Sequence, residues 1–371
     1  MQKGLKIAMM IDAWFPIHGG GQVHVAKLIE HLVRTHGCEV DLYVRQLVDA
    51  KGRKWKKNEV HMDGKFRVFR VGPCTKFFNN RGRLSWLFSV IPSVMRNNIA
   101  KKYDLIHAHA FLAGMPGKVL STVLRKPIVY TVHGTSLFHE NSGFQAMVER
   151  KLICKTKYDR EISVAHNFLQ LNNVNKDVSV IPNGVDTAKF DKVKGTPPKN
   201  FTLLFVGRLD PIKGLHHLIK ALPKNVHLKI VGDGEEESRL KRMAKDKNIT
   251  FLGRVTGEDV IKLYKSSHLF VLPSLSEGQP ITVLEAWAAK IPVLVTEVGD
   301  NPHMVRDGIN GFMVDPDQVD QLADAIQRAH EMFKANPAKL TKMGEAGHTF
   351  VKKDFTWEKV AERVYDVYES L

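Results

Sequence analysis

The chain has 371 residues, of which 43% are hydrophobic and 25% charged, with 27 Gly and 16 Pro. That length exceeds one hydrophobic core and suits two domains, and the composition excludes a disordered, collagenous or disulfide-scaffold protein. The formal charge of +16 is unevenly held: residues 1–200 carry 32 basic against 15 acidic side chains, and residues 51–102 carry 14 against 2.

The opening MQKGLKIAMMID has too short an apolar run for a signal peptide and reads as a buried strand over 5–11. No stretch of ~18 uninterrupted apolar residues follows, so no membrane span is expected. Cys38, Cys74 and Cys154 form no CxxC pair, which points to a reduced, cytoplasmic protein. After the first strand come Asp12 and Gly19-Gly20-Gly21, then a helix over 22–36 with apolar residues at Val25, Leu28, Ile29, Leu32 and Val33. A glycine turn before a helix lets backbone N–H groups approach an anion. It is neither the GxGxxG dinucleotide fingerprint nor a Walker A loop, which argues against a nicotinamide oxidoreductase.

Further strands are predicted at 39–45, 66–71, 104–107, 127–132 and 178–181. Between them, Arg81, Arg83 and Arg96 interleave with Trp86, Phe88 and other apolar residues. This basic amphipathic element suits an anionic membrane surface, at ~1 kcal/mol per basic residue. A helix that turns the same apolar residues into the core is the competing reading. Neither zinc-finger spacing nor an RNP-type run is present, so nucleic acid is not an expected partner. His107-Ala-His109 and His133-Gly134 end two strands, and His107 with His109 has no third metal ligand nearby in the sequence.

Turn-rich Asn183-Gly-Val-Asp and Lys194-Gly-Thr-Pro-Pro-Lys read as the connection between two halves. The strand pattern then restarts at 201–206, 226–231, 249–252, 268–272 and 292–295, with a helix near 318–330. Such alternation means parallel sheets covered on both faces, with ligands at the strand C-termini. Arg208 and Lys213 leave the first of these strands in Gly207-Arg-Leu-Asp-Pro-Ile-Lys-Gly214, placed to meet phosphate oxygens. Glu277-Gly278-Gln279-Pro280-Ile281 leads into a helix that carries Glu285. Amides at the helix mouth suit a phosphate, and the two carboxylates suit polyol hydroxyls on either side of it. Asp315-Pro-Asp317 reads as a helix N-cap rather than a metal site.

Together these residues resemble family 4 of the retaining glycosyltransferases. The likeness rests on Gly19-Gly20 with His24, Asp104-Leu-Ile-His-Ala-His109, Thr131-Val-His-Gly134, Ile181-Pro-Asn-Gly-Val-Asp186, Gly207-Arg-Leu with Lys213-Gly214, Gly232-Asp-Gly234 and Phe251-Leu-Gly-Arg-Val255. Glu277 and Glu285 stand where that family has its EX7E element. The resemblance implies a GT-B fold, two Rossmann-like α/β domains whose parallel sheets face across a cleft. It sets an acceptor domain over 1–190, with a helix over 357–371 crossing back to it, and a donor domain over 191–356.

It further implies transfer of a hexose-type sugar from a nucleotide-diphosphate sugar, with retained configuration and no cofactor or essential metal. Arg208 and Lys213 would neutralise the leaving diphosphate, helped by the stretch Gly278, Gln279, Pro280 and Ile281. Glu285 would bind the ribose, Glu277 the donor sugar, and main chain at Arg254 and Val255 the base. His133 would contact the donor near the reacting centre, and Gly19 and Gly20 would line the diphosphate and acceptor side. The basic, aromatic first half suggests a membrane lipid or lipid-linked glycan as acceptor, met at the inner face of the membrane. A nucleotide-sugar epimerase or hydrolase of similar fold, and a basic binding protein with a degenerate donor site, are the rivals.

Overall fold

A computed structural model describes residues 4–17, 19–48, 52–76, 79–133, 144–171 and 173–371. Contacts divide the chain into two compact units, Met1–Pro182 with Trp357–Leu371, and Asn183–Thr356. Residues 183–190 therefore pack with the second unit rather than the first. The reason is local: Val185 donates its N–H to the Phe355 carbonyl, and Phe190 is buried in the second core. The stretch read as a connection is folded structure. Asp186 caps α5 (Thr187–Lys192) by accepting from the Lys189 N–H.

The first unit holds β1 (Lys6–Met10), α1 (Gly20–His36), β2 (Glu39–Leu47), β3 (Asn58–His61), β4 (Phe66–Thr75), α2 (Asn80–Lys101), β5 (Leu105–His109), α3 (Ala110–Leu124), β6 (Ile128–Val132), α4 (Phe144–Cys154), β7 (Arg160–Ser163) and β8 (Val178–Val180). Its eight-stranded sheet has the order β3-β4-β2-β1-β5-β6-β7-β8, parallel except where β3 pairs β4. Strands β1 and β6 are buried on both faces, which is why they read as largely apolar runs.

In the second unit α5 is followed by β9 (Thr202–Val206), α6 (Leu215–Ala221), β10 (His227–Val231), α7 (Glu237–Met243), β11 (Ile249–Phe251), α8 (Glu258–Lys265), β12 (Leu269–Leu272), α9 (Ile281–Ala288), β13 (Val293–Thr296), α10 (Asn301–Met304), β14 (Gly311–Val314), α11 (Val319–Ala335) and α12 (Pro337–Asp354). The sheet is parallel in the order β11-β10-β9-β12-β13-β14. The last helix, α13 (Trp357–Glu369), belongs to the first unit, where its Tyr365 ring stacks on His36 at 4.0 Å.

Strand order reverses beside β1 in one unit and beside β9 in the other. A crevice opens at such a switch point, beyond the strand C-termini. The loops after β1 and β5, and those after β9 and β12, are thus the places each topology reserves for a ligand.

Three expectations need correction here. Asp315 and Asp317 do not cap α11, whose N-cap position is Gln318 with no side-chain cap. Asp315 instead accepts from Gln321 Nε2 at 2.9 Å, and Asp317 lies 3.2 Å from His217 Nε2. His107 and His109 lie inside β5 rather than beyond it, both on one face because strand side chains alternate. Trp86 is fully buried with Val90 and Val94, so the core reading holds for that face of α2.

Candidate active site

In the second unit, glycines let the strand-end loops interlock. Gly232 has φ 135°, and a Cβ there would collide with the Gly207 carbonyl. Gly214, at φ 62°, would likewise strike the Pro273 carbonyl. Close approach of backbone to backbone demands glycine at both positions. Hydrogen bonds complete the weave: Leu209 N–H donates to the Asp233 carbonyl, Gly232 N–H to Gly253 and Leu275 N–H to Ile212. The loop carrying Arg254 and Val255 is held to the end of β10 by the Gly232–Gly253 bond.

This lattice brings Lys213 and Glu277 together. Lys213 Nζ donates to Glu277 Oε1 at 2.6 Å, and Ser274 Oγ donates to the same oxygen at 2.6 Å. The Glu277 side chain is 9% exposed, so the ammonium is held in a fixed place instead of sweeping through solvent. Arg208 differs. Its side chain is 72% exposed and pairs with Asp210 at 2.7 Å, leaving the guanidinium at the surface of the same loop. Both cations thus carry an acidic partner, a feature the spacing of the motif does not disclose.

Beyond Glu277, the Gly278 carbonyl accepts from the Asp300 N–H. Helix α9 begins at Ile281 after Pro280, which stands at the N-cap position. Pro280 has no N–H, so of the stretch assigned to the donor it offers no amide. Gln279 carries side-chain contacts that the motif does not disclose. It is buried, with Oε1 accepting from the Asn183 N–H and its carbonyl accepting from Asn183 Nδ2. Its side chain ties the start of the second unit to α9.

Glu285 lies one helical stretch further on. Tyr264, fully buried on α8, donates its hydroxyl to Glu285 Oε2 at 2.9 Å. Burial pushes the Glu285 carboxyl up to about 7, with the Tyr264 bond and Lys189 opposing that rise. Sequence reasoning missed Tyr264, since a tyrosine on an amphipathic helix reads as core. Only the pairing of α8 with a carboxylate on α9 reveals it.

In the first unit Asp12 follows β1, and Gly19 holds the N-cap position of α1 with Gly20 as the first helical residue. Burial raises the Asp12 carboxyl, offset by Arg45 at 3.3 Å and Arg83 at 3.7 Å. Arg83 is therefore turned toward Asp12, with its side chain 27% exposed. Arg81, Phe88 and Arg96 do lie on the exposed face of α2.

His24 from α1, His109 from β5 and His133 after β6 converge, their nitrogens lying within 4.8 Å of one another. The topology supplies neighbours that the His107/His109 spacing lacks. His109 Nδ1 and His133 Nε2 are 2.9 Å apart. Two nitrogens on one tetrahedral zinc at about 2.05 Å would stand about 3.3 Å apart, so this separation is that of a hydrogen bond. Burial holds both imidazoles well below their usual range and keeps them neutral. His107 is locked on both sides, to Tyr368 Oη at 2.6 Å and Thr131 Oγ1 at 2.7 Å. Gly134, paired with His133 in the sequence motif, lies outside the described residues.

Comparison with known proteins decides the family. Residues 18–189 match the family model described as Glycosyltransferase Family 4, and residues 186–350 match Glycosyl transferases group 1. The chain is a GT4-type glycosyltransferase. This glycosyltransferase is nucleotide-sugar dependent. It is 30% identical over 264 residues to a UDP-Gal:alpha-D-GlcNAc-diphosphoundecaprenol alpha-1,3-galactosyltransferase of Escherichia coli, covering 62% of this chain and 66% of that protein. It is 27% identical over 389 residues to a phosphatidyl-myo-inositol mannosyltransferase of Mycolicibacterium smegmatis, covering 99% and 94%. Sucrose-phosphate synthase from Thermosynechococcus elongatus superposes with a TM-score of 0.84 at 22% identity, covering 99% of this chain and 98% of that one. That likeness establishes the GT-B fold. Among the described residues, no helix is long and apolar enough to cross a membrane.

Proposed function

We propose that this glycosyltransferase moves a hexose-type sugar from a nucleotide-diphosphate sugar to a membrane lipid or lipid-linked glycan, with retention and without an essential metal. The observation that carries the reading is the Lys213–Glu277 pair on loops laced together by glycines. It supplies a positioned cation where leaving diphosphate charge develops and a carboxylate for donor hydroxyls, with Arg208 as a second cation. Fixed charge of this kind does the work a divalent ion does elsewhere.

In the proposed step the acceptor oxygen bonds to the anomeric carbon on the face from which the diphosphate departs. The anomeric carbon–oxygen bond breaks, and the acceptor's proton passes to a phosphate oxygen, so no protein base is required. Glu285, aligned by Tyr264, takes the ribose hydroxyls, and Arg254 and Val255 main chain takes the base. The N–H groups of Gly278, Gln279 and Ile281 face the diphosphate. His133, Gly19 and Gly20 serve the reacting centre and the acceptor side.

The lipid acceptor draws on two supports. Both relatives named above carry names that specify lipid or lipid-linked acceptors. In this chain, α2 exposes Leu84, Phe88, Met95 and Ile99 on one face, and α3 adds Val119 and Val123. Arg81, Arg96, Lys102 and Arg125 are exposed on or beside the same helices. An apolar stripe among cations fits an anionic bilayer surface, with ~1 kcal/mol from each basic contact.

The test is a thermal-shift screen of nucleotide-sugars, followed by turnover assays with lipid acceptors in the presence and absence of EDTA. A stabilising donor, turnover that needs acceptor, and rates unchanged by EDTA are expected. Donor consumption without any acceptor would favour the epimerase or hydrolase. Loss of activity in EDTA with recovery in Mg²⁺ would overturn the metal-free reading.

A further inference from the structure

His109 is fully buried and has two ring nitrogens to satisfy. Nδ1 meets His133 Nε2 at 2.9 Å, while Nε2 is buried with no hydrogen-bond partner among the described residues. Both rings are neutral, so each carries one proton and a single proton lies between Nδ1 and Nε2. Two arrangements satisfy that condition. If His133 donates, the His109 proton sits on Nε2 and a buried N–H is orphaned. If His109 donates, its orphan is a bare lone pair.

Orphaned buried N–H groups are rarer than under-satisfied acceptors. The second arrangement is therefore the favoured one, and its consequence reaches the neighbouring ring. With Nε2 accepting from His109, His133 carries its own proton on Nδ1. That nitrogen makes no hydrogen bond among the described residues. We infer that His109 is a positioning residue that fixes His133 as the Nδ1–H tautomer, so His133 presents a hydrogen-bond donor to a substrate oxygen and is not a base. The surroundings hold the arrangement in place. The His107 ring lies 3.9 Å from that of His109 and is itself pinned by Thr131 and Tyr368, while His24 packs edge-on against His133 at 4.7 Å.

This inference rests on the assignment of His133 to the transfer reaction, but its primary readout does not. Protein labelled with ¹⁵N-histidine is examined by long-range ¹H–¹⁵N correlation at neutral pH, with the His133 signals identified by their loss in His133→Asn. A protonated Nδ1 and bare Nε2 on His133 are expected. A proton on Nε2, or on both nitrogens, would overturn the inference. His109→Leu should mix the His133 tautomers and lower kcat by about tenfold, the worth of one ordinary hydrogen bond. His109→Asn, whose amide can still donate, should restore the tautomer and most of the rate. Unchanged tautomer and rate in His109→Leu would refute the positioning role. Should His133→Ala turn over at the wild-type rate, the assignment of His133 to the reaction fails while the tautomer measurement still stands.

Discussion

The two units place their candidate site residues at equivalent points of similar sheets and solve the electrostatics in opposite ways. At the β9/β12 switch of the second unit the groups are charged and compensated: Lys213 with Glu277, Arg208 with Asp210. At the β1/β5 switch of the first unit they are neutral imidazoles, kept so by burial. The difference teaches how each can help. Paired charges meet a phosphate without reorganisation, whereas neutral rings direct hydrogen bonds and would resist becoming cations.

Breaking the charged side should have the largest effect. Lys213→Ala removes one charge-stabilising contact and leaves the Glu277 carboxylate without its ammonium. Turnover should fall by about 10²–10³, mainly in kcat. Arg208→Ala should fall by about two orders of magnitude, with a smaller effect on stability because an exposed pair contributes little. Rates near wild type in either variant would end the proposed role. On the carboxylate side, Tyr264→Phe removes the hydroxyl that stabilises ionised Glu285 and should push its titration further above about 7. Ribose hydroxyls bind an ionised carboxylate best, so donor affinity should rise with pH through neutrality, and in Tyr264→Phe that rise should move to higher pH. Calorimetric titration of donor across pH would show it, and coincident curves would refute it.

How far the sequence anticipates this molecule depends on how local the information is. Strands such as Ile128–Val132 and Val293–Thr296 are rich in β-branched residues, with only Tyr130 and Leu294 between them, and are legible at once. Strand β7 hides because Arg160 and Glu161 interrupt its pattern, although Glu161 is buried and held by Asn173 and Asn175. The antiparallel edge strand β3 hides because its residues are largely exposed. In the site, Lys213 and Glu277 each stood out by motif, but their ion pair joins residues 64 positions apart. The fate of Gln279 was illegible for the same reason: its partner Asn183 is 96 positions away. Whether Trp86 and Arg83 face a surface or the interior stays open in the sequence, because composition gives a helix's content without its orientation.

Surface and pH effects should be smaller. Leu84→Ser with Phe88→Ser and Ile99→Ser alters only exposed positions of α2, so the fold should persist while sedimentation with anionic vesicles drops, most clearly at high salt where basic contacts are screened. Unchanged sedimentation would remove the membrane surface from the proposal.

The smallest effect unites both units. Burial raises Glu161 in the first and Glu285 in the second from 4.5 to about 7. Between those values the folded chain keeps protons that the unfolded chain has released. Stability therefore falls as pH rises through that window, the reverse of the usual carboxylate. Glu161→Gln removes the titration and keeps a polar group among Asn173 and Asn175. Its melting temperature should fall less than that of wild type between pH 5 and about 7.5. A variant that loses stability over this range as steeply as wild type would show that Glu161 is ionised in the fold and that its two amide contacts, from Asn173 and Asn175, outweigh burial.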